Sequence, residues 1–311
     1  MFRFVPLTNA ALSLQHVLYN YNTFHSKNMA NSRFEYVKSF ETSDTLLQDC
    51  WIVVRVDGKG FHKFCDVHNF TKPNDERALN LMNLAAVTVM QQFNEIVFSY
   101  GQSDEYSFIF RRSTSIYGRR RDKLISYVGS LFTSAYLFNW HFIFKDTNIL
   151  KYPPVFDSRA VLYPTDKNLR DYVSWRQADV HINNLYNTTF WNLVASGLSN
   201  AEAEKQLRGT LSEDKNEILF QKFQINYNNE PIMFRKGTIL LRKRINLIDS
   251  HKHTLIVPCF EDMIKEDFWN RHPELLDEKL QNVNAYDIGD RINHVLVLYQ
   301  MEKYKQRKSK Q

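Results

Sequence analysis

The run Trp51 to Val56 (WIVVRV) passes directly into Asp57-Gly58-Lys59-Gly60, and this junction restricts the fold more than any other part of the chain. β-Branched residues crowd a helix but pack well on a pleated surface, so the run reads as a buried strand. The two glycines that follow mark a tight turn where backbone can come close to a ligand. The strand therefore delivers one carboxylate, Asp57, to a sheet end. A glycine-rich turn can present N–H groups to triphosphate oxygens, although this one is not the GxxxxGK[ST] of a P-loop.

Downstream, Asn74 or Asp75 can cap a helix running to about Phe93, with Leu79, Met82, Ala86, Val89 and Met90 on one face. Glu95 to Tyr100 and Glu105 to Phe110 alternate around Gly-Gln-Ser-Asp, a hairpin whose turn carries Asp104. A long helix from about Asp122 to Phe144, the Pro153-Pro154 break and a strand from Ser158 to Tyr163 follow. The order is βαββαβ, a split βαβ sheet with two helices on one face, in an α+β chain. Asp166 to about Phe223 reads as helical, with Gly197 as a stop and Ser199 as a new cap, and Lys236 to Arg244 as a strand. The expected domains are a leader at 1–28, a catalytic domain at 29–164, a helical and strand-containing C-terminal region at 165–300 packed on it, and a charged, frayed tail at 301–311.

The 311 residues are 43% hydrophobic and 24% charged, and 40 basic against 34 acidic residues leave a net charge of +6. That is a globular composition which permits a polyanionic partner without demanding one. No stretch can span a bilayer, because the best candidate, Tyr127 to Phe144, is interrupted by Ser130, Asn139 and His141. Cys50, Cys65 and Cys259 match no zinc spacing and are expected to be ordinary reduced thiols. Met1 to Asn28 lacks Asp and Glu but is not Arg-rich. A mitochondrial presequence and an upstream extension with Met29 as the start both remain open. The expected location is cytoplasm or nucleus, with mitochondrial import open through the leader.

If the hairpin pairs beside the first strand, Asp57 and Asp104 reach the same sheet end. Two carboxylates and a main-chain carbonyl such as that of Gly58 suit Mg²⁺, which binds one or two carboxylates plus substrate phosphates. Paired ions support in-line phosphoryl displacement. Glu105 follows Asp104 directly and points to the opposite face, which assigns it a supporting role. Turn chemistry is the plainer account of Asp beside Gly, and spacing alone leaves both readings open.

Several ordered stretches resemble the eukaryotic tRNA-histidine guanylyltransferase family, from Met29 to about Leu280. They include VVRVDGKGFHKF around Asp57, HNFTKPND from His68, YGQSDEYSF around Asp104 and KYPPVFDSR from Lys151. Further matches are WRQADVHINNLYNTTFW from Trp175, GTLSEDKNEILF from Gly209 and INYNNEP from Ile225. HINNLYN, His181 to Asn187, is the most specific.

The resemblance implies a polymerase-palm-like core and the addition of a guanylate to the 5′ end of histidine tRNA, in the 3′-to-5′ direction. It implies adenylylation of the 5′-phosphate by ATP, attack by the 3′-hydroxyl of GTP, removal of pyrophosphate, two Mg²⁺ ions and a homotetramer. It also implies Asp57, Gly58 and Asp104 as metal ligands, and Asp57, Gly58, Lys59, Gly60, Phe61, His62, Ser103 and Asp104 as nucleotide-binding residues. Lys72 and Asn74 would stand near the activated nucleotide and His181 near the 5′ end or the triphosphate. Gly60 departs from the Asn expected there in animal relatives. Arg119, Arg120, Arg121 and Lys123 are candidates for tRNA phosphates, and Trp175, Tyr186 and Trp191 for stacking on splayed bases. A repair polymerase for truncated tRNA 5′ ends and a non-catalytic RNA-binding protein are the two rival readings.

Overall fold

The β-branched run becomes β1 (Trp51–Gly58), an inner strand of an antiparallel sheet in a computed structural model that describes residues 33–246, 252–280 and 294–308. The expected leader at 1–28 lies outside the described residues. Gly60, at φ 67°, turns the chain into α1 (Phe61–Val67). The sequence pattern takes this stretch for a loop, because seven residues show too little periodicity to register. α2 (Glu76–Gln92) starts where the Asp75 carboxylate accepts from the Arg77 N–H at 3.0 Å, one of the two caps anticipated. β2 (Ile96–Gln102) and β3 (Glu105–Phe110) form the expected hairpin, turned by Ser103 and Asp104. α3 (Arg121–Phe144) and β4 (Phe156–Tyr163) complete the first half.

α4 (Asp166–Ala195) is capped by Thr165, and α5 (Asn200–Leu207) opens with a Ser199–Glu202 capping box, as the Ser199 signal predicts. α6 (Ser212–Phe223) and α7 (Ile232–Lys236) precede β5 (Thr238–Asn246), β6 (Lys252–Cys259), α8 (Glu266–Arg271) and α9 (Val295–Lys308). β6 is missing from the sequence reading. α9 reaches into the expected charged tail at 301–311, as far as residue 308.

Among the described residues the sheet runs β4-β1-β3-β2-β5-β6, with all neighbours antiparallel. The first four strands have the split-βαβ order expected from βαββαβ. The C-terminal region does more than pack on this core, since β5 pairs with β2 and extends the same sheet. Residues 45–311 form one compact unit, so packing is continuous across 164. The separate unit 1–44 shows one 3-10 helix, Glu35–Phe40, among its described residues.

Alternation along β1 explains why its apolar run is unbroken. Ile52, Val54 and Val56 join Tyr106, Phe108 and Phe110 in a core with α2 and α3, while Trp51, Val53 and Ile109 join one with α4. Both faces are therefore covered. No described helix is long and apolar enough to cross a membrane.

Arg119 does not belong to the basic surface on which the sequence reading placed it. It is 3% exposed, and its guanidinium donates to the carbonyls of Leu46, Leu47, Cys50, Arg112 and Thr114 at 2.5–3.3 Å. It ties the entry of β1 to the loop before α3.

His68 is a second buried polar anchor. Phe64, Phe70, Trp140 and Tyr152 surround its ring at centroid distances of 4.0–6.1 Å. Nδ1 donates to the Phe64 carbonyl at 2.8 Å and Nε2 accepts from the Lys151 N–H at 3.0 Å, so the ring must be neutral. Burial, which outweighs the opposing Phe64 bond, holds its pKa below the usual histidine value. The unfolded chain binds this proton more readily, so the stability contribution is complete above the unfolded pKa and is lost as pH falls through the folded one. Urea midpoints measured between pH 7.5 and 5 should fall more steeply for wild type than for His68→Gln.

Candidate active site

The register of β1 against β3 pairs Asp57 with Glu105, and the Gly58 N–H donates to the Asp104 carbonyl at 3.0 Å. This pairing is the condition set by the sequence argument, and it brings both aspartates to one sheet end. Ser103, at φ 48°, makes the turn that carries Asp104. Asp57, Ser103 and Asp104 line a cleft of about 370 Å³ together with Asn74, Asn83, Arg176, Asn183, Asn184 and Thr238. Burial raises the Asp104 carboxyl above its ordinary pKa, and the charge of Asp57 pushes it further. Among the described residues no Lys or Arg pairs with either aspartate, so the two negative charges share a half-buried place without a protein counter-cation. A hard cation relieves this repulsion, and two carboxylates fit Mg²⁺ chemically.

Glu105, expected to point away, is instead the register partner of Asp57 and lines the same cleft, because Asp104 sits in the turn and strand alternation starts only after it. Glu105 is buried on the α4 face, where Arg176 Nε reaches it at 2.9 Å and Arg55 at 3.7 Å. Burial raises its pKa, and the two guanidinium groups oppose that rise.

The glycine turn is held from below. Phe61 points into the aromatic core, stacked on Phe64 at 4.9 Å and against Phe156 at 4.9 Å. Its side chain is therefore not a ligand-binding surface, and any nucleotide contact by this residue falls to its backbone. The N–H groups of Phe61, His62 and Lys63 open α1, where the first intrahelical bond runs from Phe64 to the Gly60 carbonyl. Lys59 and Gly60 are exposed, with the Lys59 N–H donating to Val155. A Cβ at Gly58 would stand 2.4 Å from the Phe61 ring, which its neighbours hold in place. Gly58→Ala should therefore keep the fold but shift the turn, with about a 10²-fold loss of turnover at unchanged far-ultraviolet circular dichroism.

The remaining candidates are placed unequally. Asn74 lines the cleft and donates to Asn184 Oδ1 at 2.8 Å, while Asn184 donates to the Tyr227 hydroxyl at 2.9 Å. Lys72 pairs with Asp66 at 2.7 Å and lies 5.3 Å above the Trp191 ring, outside the cleft-lining set. His62 is exposed, 3.6 Å from Asp66. His181 lies one residue beyond the cleft-lining Val180 and faces Tyr227 at 5.5 Å. Burial and then the cations Lys236 and Arg235 lower its pKa, which favours the neutral imidazole. Trp175 is 53% exposed with the Arg176 guanidinium 4.5 Å from its ring, and Tyr186 stacks on Phe190.

Sequence reasoning missed Asn83, Arg176 and Thr238 as cleft residues. Asn83 accepts from the Tyr106 hydroxyl at 2.9 Å and donates to Thr238 at 3.3 Å. A signal did exist for the asparagines of HINNLYN, since Asn183 and Asn187 are four residues apart and share a helix face.

Two family models cover most of the chain: tRNAHis guanylyltransferase matches residues 34–164, and the Thg1 C terminal domain matches 167–287. The Drosophila melanogaster protein named "Probable tRNA(His) guanylyltransferase" is 60% identical over 250 residues, which is 80% of this chain and 86% of that protein. The tRNA(His) guanylyltransferase of Schizosaccharomyces pombe is 52% identical over 260 residues, 79% of this chain and 98% of its own length. The crystal structure of the Saccharomyces cerevisiae enzyme superposes with a TM-score of 0.64 at 48% identity, covering 72% of this chain and 96% of that one. A bacterial guanylyltransferase-like protein in complex with ATP shares the fold at 20% identity and a TM-score of 0.62, covering 78% of this chain and 96% of that one.

The protein is thus an enzyme of the nucleotidyltransferase class. Within that class, it belongs to the tRNAHis guanylyltransferase family.

Proposed function

We propose that this enzyme adds a guanylate to the 5′ end of histidine tRNA. The observation that carries the reading is the Asp57–Asp104 pair, two acids with no counter-cation among the described residues, in a polar cleft. The names of the relatives supply the tRNA, and complexes of bacterial guanylyltransferase-like proteins with ATP and GTP support both nucleotides as substrates.

The proposed sequence is adenylylation of the tRNA 5′-phosphate by ATP, displacement of AMP by the 3′-hydroxyl of GTP, and removal of pyrophosphate. Each step is a phosphoryl transfer, in which positioning and charge neutralisation provide most of the catalysis. Asp57, Asp104 and the Gly58 carbonyl would hold two Mg²⁺ ions, which supply charge neutralisation at the transferring phosphoryl group. The backbone from Asp57 to His62, with Ser103, borders the triphosphate, while Lys72 and Asn74 stand near the activated nucleotide. His181, kept neutral by burial and by Lys236 and Arg235, serves at the 5′ end. Exposed Arg120 and Arg121, with Lys123, offer charge to tRNA phosphates, and exposed Trp175 a stacking face. The same reading includes a polymerase-palm-like sheet and a homotetramer, which exposed Tyr127, Leu137 and Phe138 on α3 support as a docking face. It places the enzyme in cytoplasm or nucleus, with import through residues 1–28 tested by tagging the chain with and without them.

The test is incorporation of labelled GTP, with Mg²⁺ and ATP, into 5′-monophosphorylated histidine tRNA beside other tRNAs and a 5′-truncated one. Label on histidine tRNA is the expected result. Label on the truncated species alone would replace this reading with 5′-end repair, and no label at all would remove it.

A further inference from the structure

Away from the Asp57–Asp104 cleft, the end of β6 and the residues around α8 gather a second set of ligand atoms. Cys259 Sγ, a Glu261 carboxylate oxygen and a ring nitrogen of His272 lie within 4.8 Å of one another. Cys259 Sγ is 3.1 Å from Glu261 Oε1, and that oxygen is 3.7 Å from His272 Nε2. Ligands 2.0–2.3 Å from a tetrahedral ion stand roughly 3.3–3.6 Å apart, so these separations bracket the edges of such a site.

His272 provides an independent sign. It is 3% exposed, and its Nε2 is buried without a hydrogen-bond partner. A buried ring nitrogen left so is costly unless something else engages it. The other ring nitrogen, Nδ1, lies 3.4 Å from Glu274 Oε1, and Lys243 holds that carboxylate at 2.6 Å. A carboxylate on the far nitrogen is the usual support of a metal-bound histidine, fixing its tautomer and orientation. Lys243 Nζ also lies 3.3 Å from Nδ1, as part of the same pairing. Arg271 pairs with Glu261 through Oε2, so Oε1 is the oxygen turned toward the thiol and the imidazole.

Thiolate, imidazole and carboxylate together are a borderline-soft donor set that suits zinc and not magnesium. We propose that Cys259, Glu261 and His272 bind a Zn²⁺ ion, with water as the fourth ligand. Binding replaces the thiol proton shared between Cys259 and Glu261, and that proton is released to solvent. The ion clips the end of β6 to the C-terminal end of α8. It thereby fixes the loop between them, which docks on α4: Gln177 donates to the Glu261 carbonyl at 3.0 Å and accepts from the Met263 N–H at 2.7 Å. Gln177 also donates to the Lys236 carbonyl at 3.0 Å, beside Gly237 and Thr238 of the cleft wall. The proposal does not depend on the substrate assigned above.

The full chain, purified on a tag that binds no metal and without chelator, should carry about one zinc per chain by mass spectrometry. Asp57→Ala should keep it, while Cys259→Ser and His272→Gln should lose at least about nine-tenths of it and melt at lower temperature. Replacing zinc by cobalt in the Cys50→Ser, Cys65→Ser double variant should give a thiolate-to-cobalt charge-transfer band with a tetrahedral ligand-field spectrum. That arm needs neither ligand variant to fold. Absence of both zinc and the cobalt band after growth with added zinc would overturn the proposal. So would zinc retained in full by Cys259→Ser and His272→Gln.

Discussion

Asp57→Ala and Asp104→Ala will each lower guanylate transfer by roughly 10³-fold, equivalent to about 4 kcal/mol of transition-state stabilisation. Neither side chain supports the core, so folding should survive both changes. For Asp104 the sign is more specific. Burial and the neighbouring Asp57 raise its pKa, so the folded state binds this proton more tightly than the unfolded chain. Its contribution is favourable below the unfolded pKa and is lost as pH rises through the folded one. At neutral pH without divalent cations, Asp104→Asn should therefore melt above wild type. Adding Mg²⁺ should raise the melting temperature of wild type and leave Asp104→Asn nearly unchanged, because a cation stabilises only the state that binds it. A variant with full activity, or an equal Mg²⁺ response in both proteins, would end the metal assignment.

The largest stability effect belongs to Arg119. Arg119→Ala strands five carbonyls that one buried guanidinium now satisfies, those of Cys50 and Thr114 in fully buried bonds, and the expected cost is about 3–5 kcal/mol in urea unfolding. Arg119→Lys should recover little, since one ammonium cannot reproduce a planar fork aimed at several acceptors. Exposed Arg121, paired with Asp122 at 3.1 Å, is the contrasting case. Arg121→Ala should change stability by less than about 0.5 kcal/mol. If it neutralises a tRNA phosphate, the salt slope of tRNA binding should fall by about one. A stable Arg119→Ala protein with weakened tRNA binding would return Arg119 to the RNA-facing surface.

Particular residues show where sequence reasoning reached and where it failed. Asp57 was legible because a β-branched strand ending in Gly-x-Gly can leave its last side chain only at a sheet end. Asp104 was legible because hairpin alternation names its own turn. Arg119 was misread because a cluster of basic residues looks the same in one dimension whether it faces water or a ring of carbonyls. The burial of the Phe61 ring was not legible either, since its place in the glycine run said nothing of the aromatic core beneath it. His181 stands in the segment that the sequence singles out, yet helix phase leaves it outside the cleft that Val180, Asn183, Asn184 and Asn187 line.

By itself the sequence determined local matters: strand and helix periods, the Ser199 cap, the β2–β3 turn and the βαββαβ order of the first half. Each depends on residues only a few positions apart, where side-chain sterics and backbone hydrogen bonding act directly. Tertiary structure alone decided that β5 and β6 extend that sheet, that Arg176 reaches Glu105 beside the two aspartates, and that Cys259 and Glu261 meet His272. Those outcomes bring together groups distant along the chain, and they follow from which faces are buried against which.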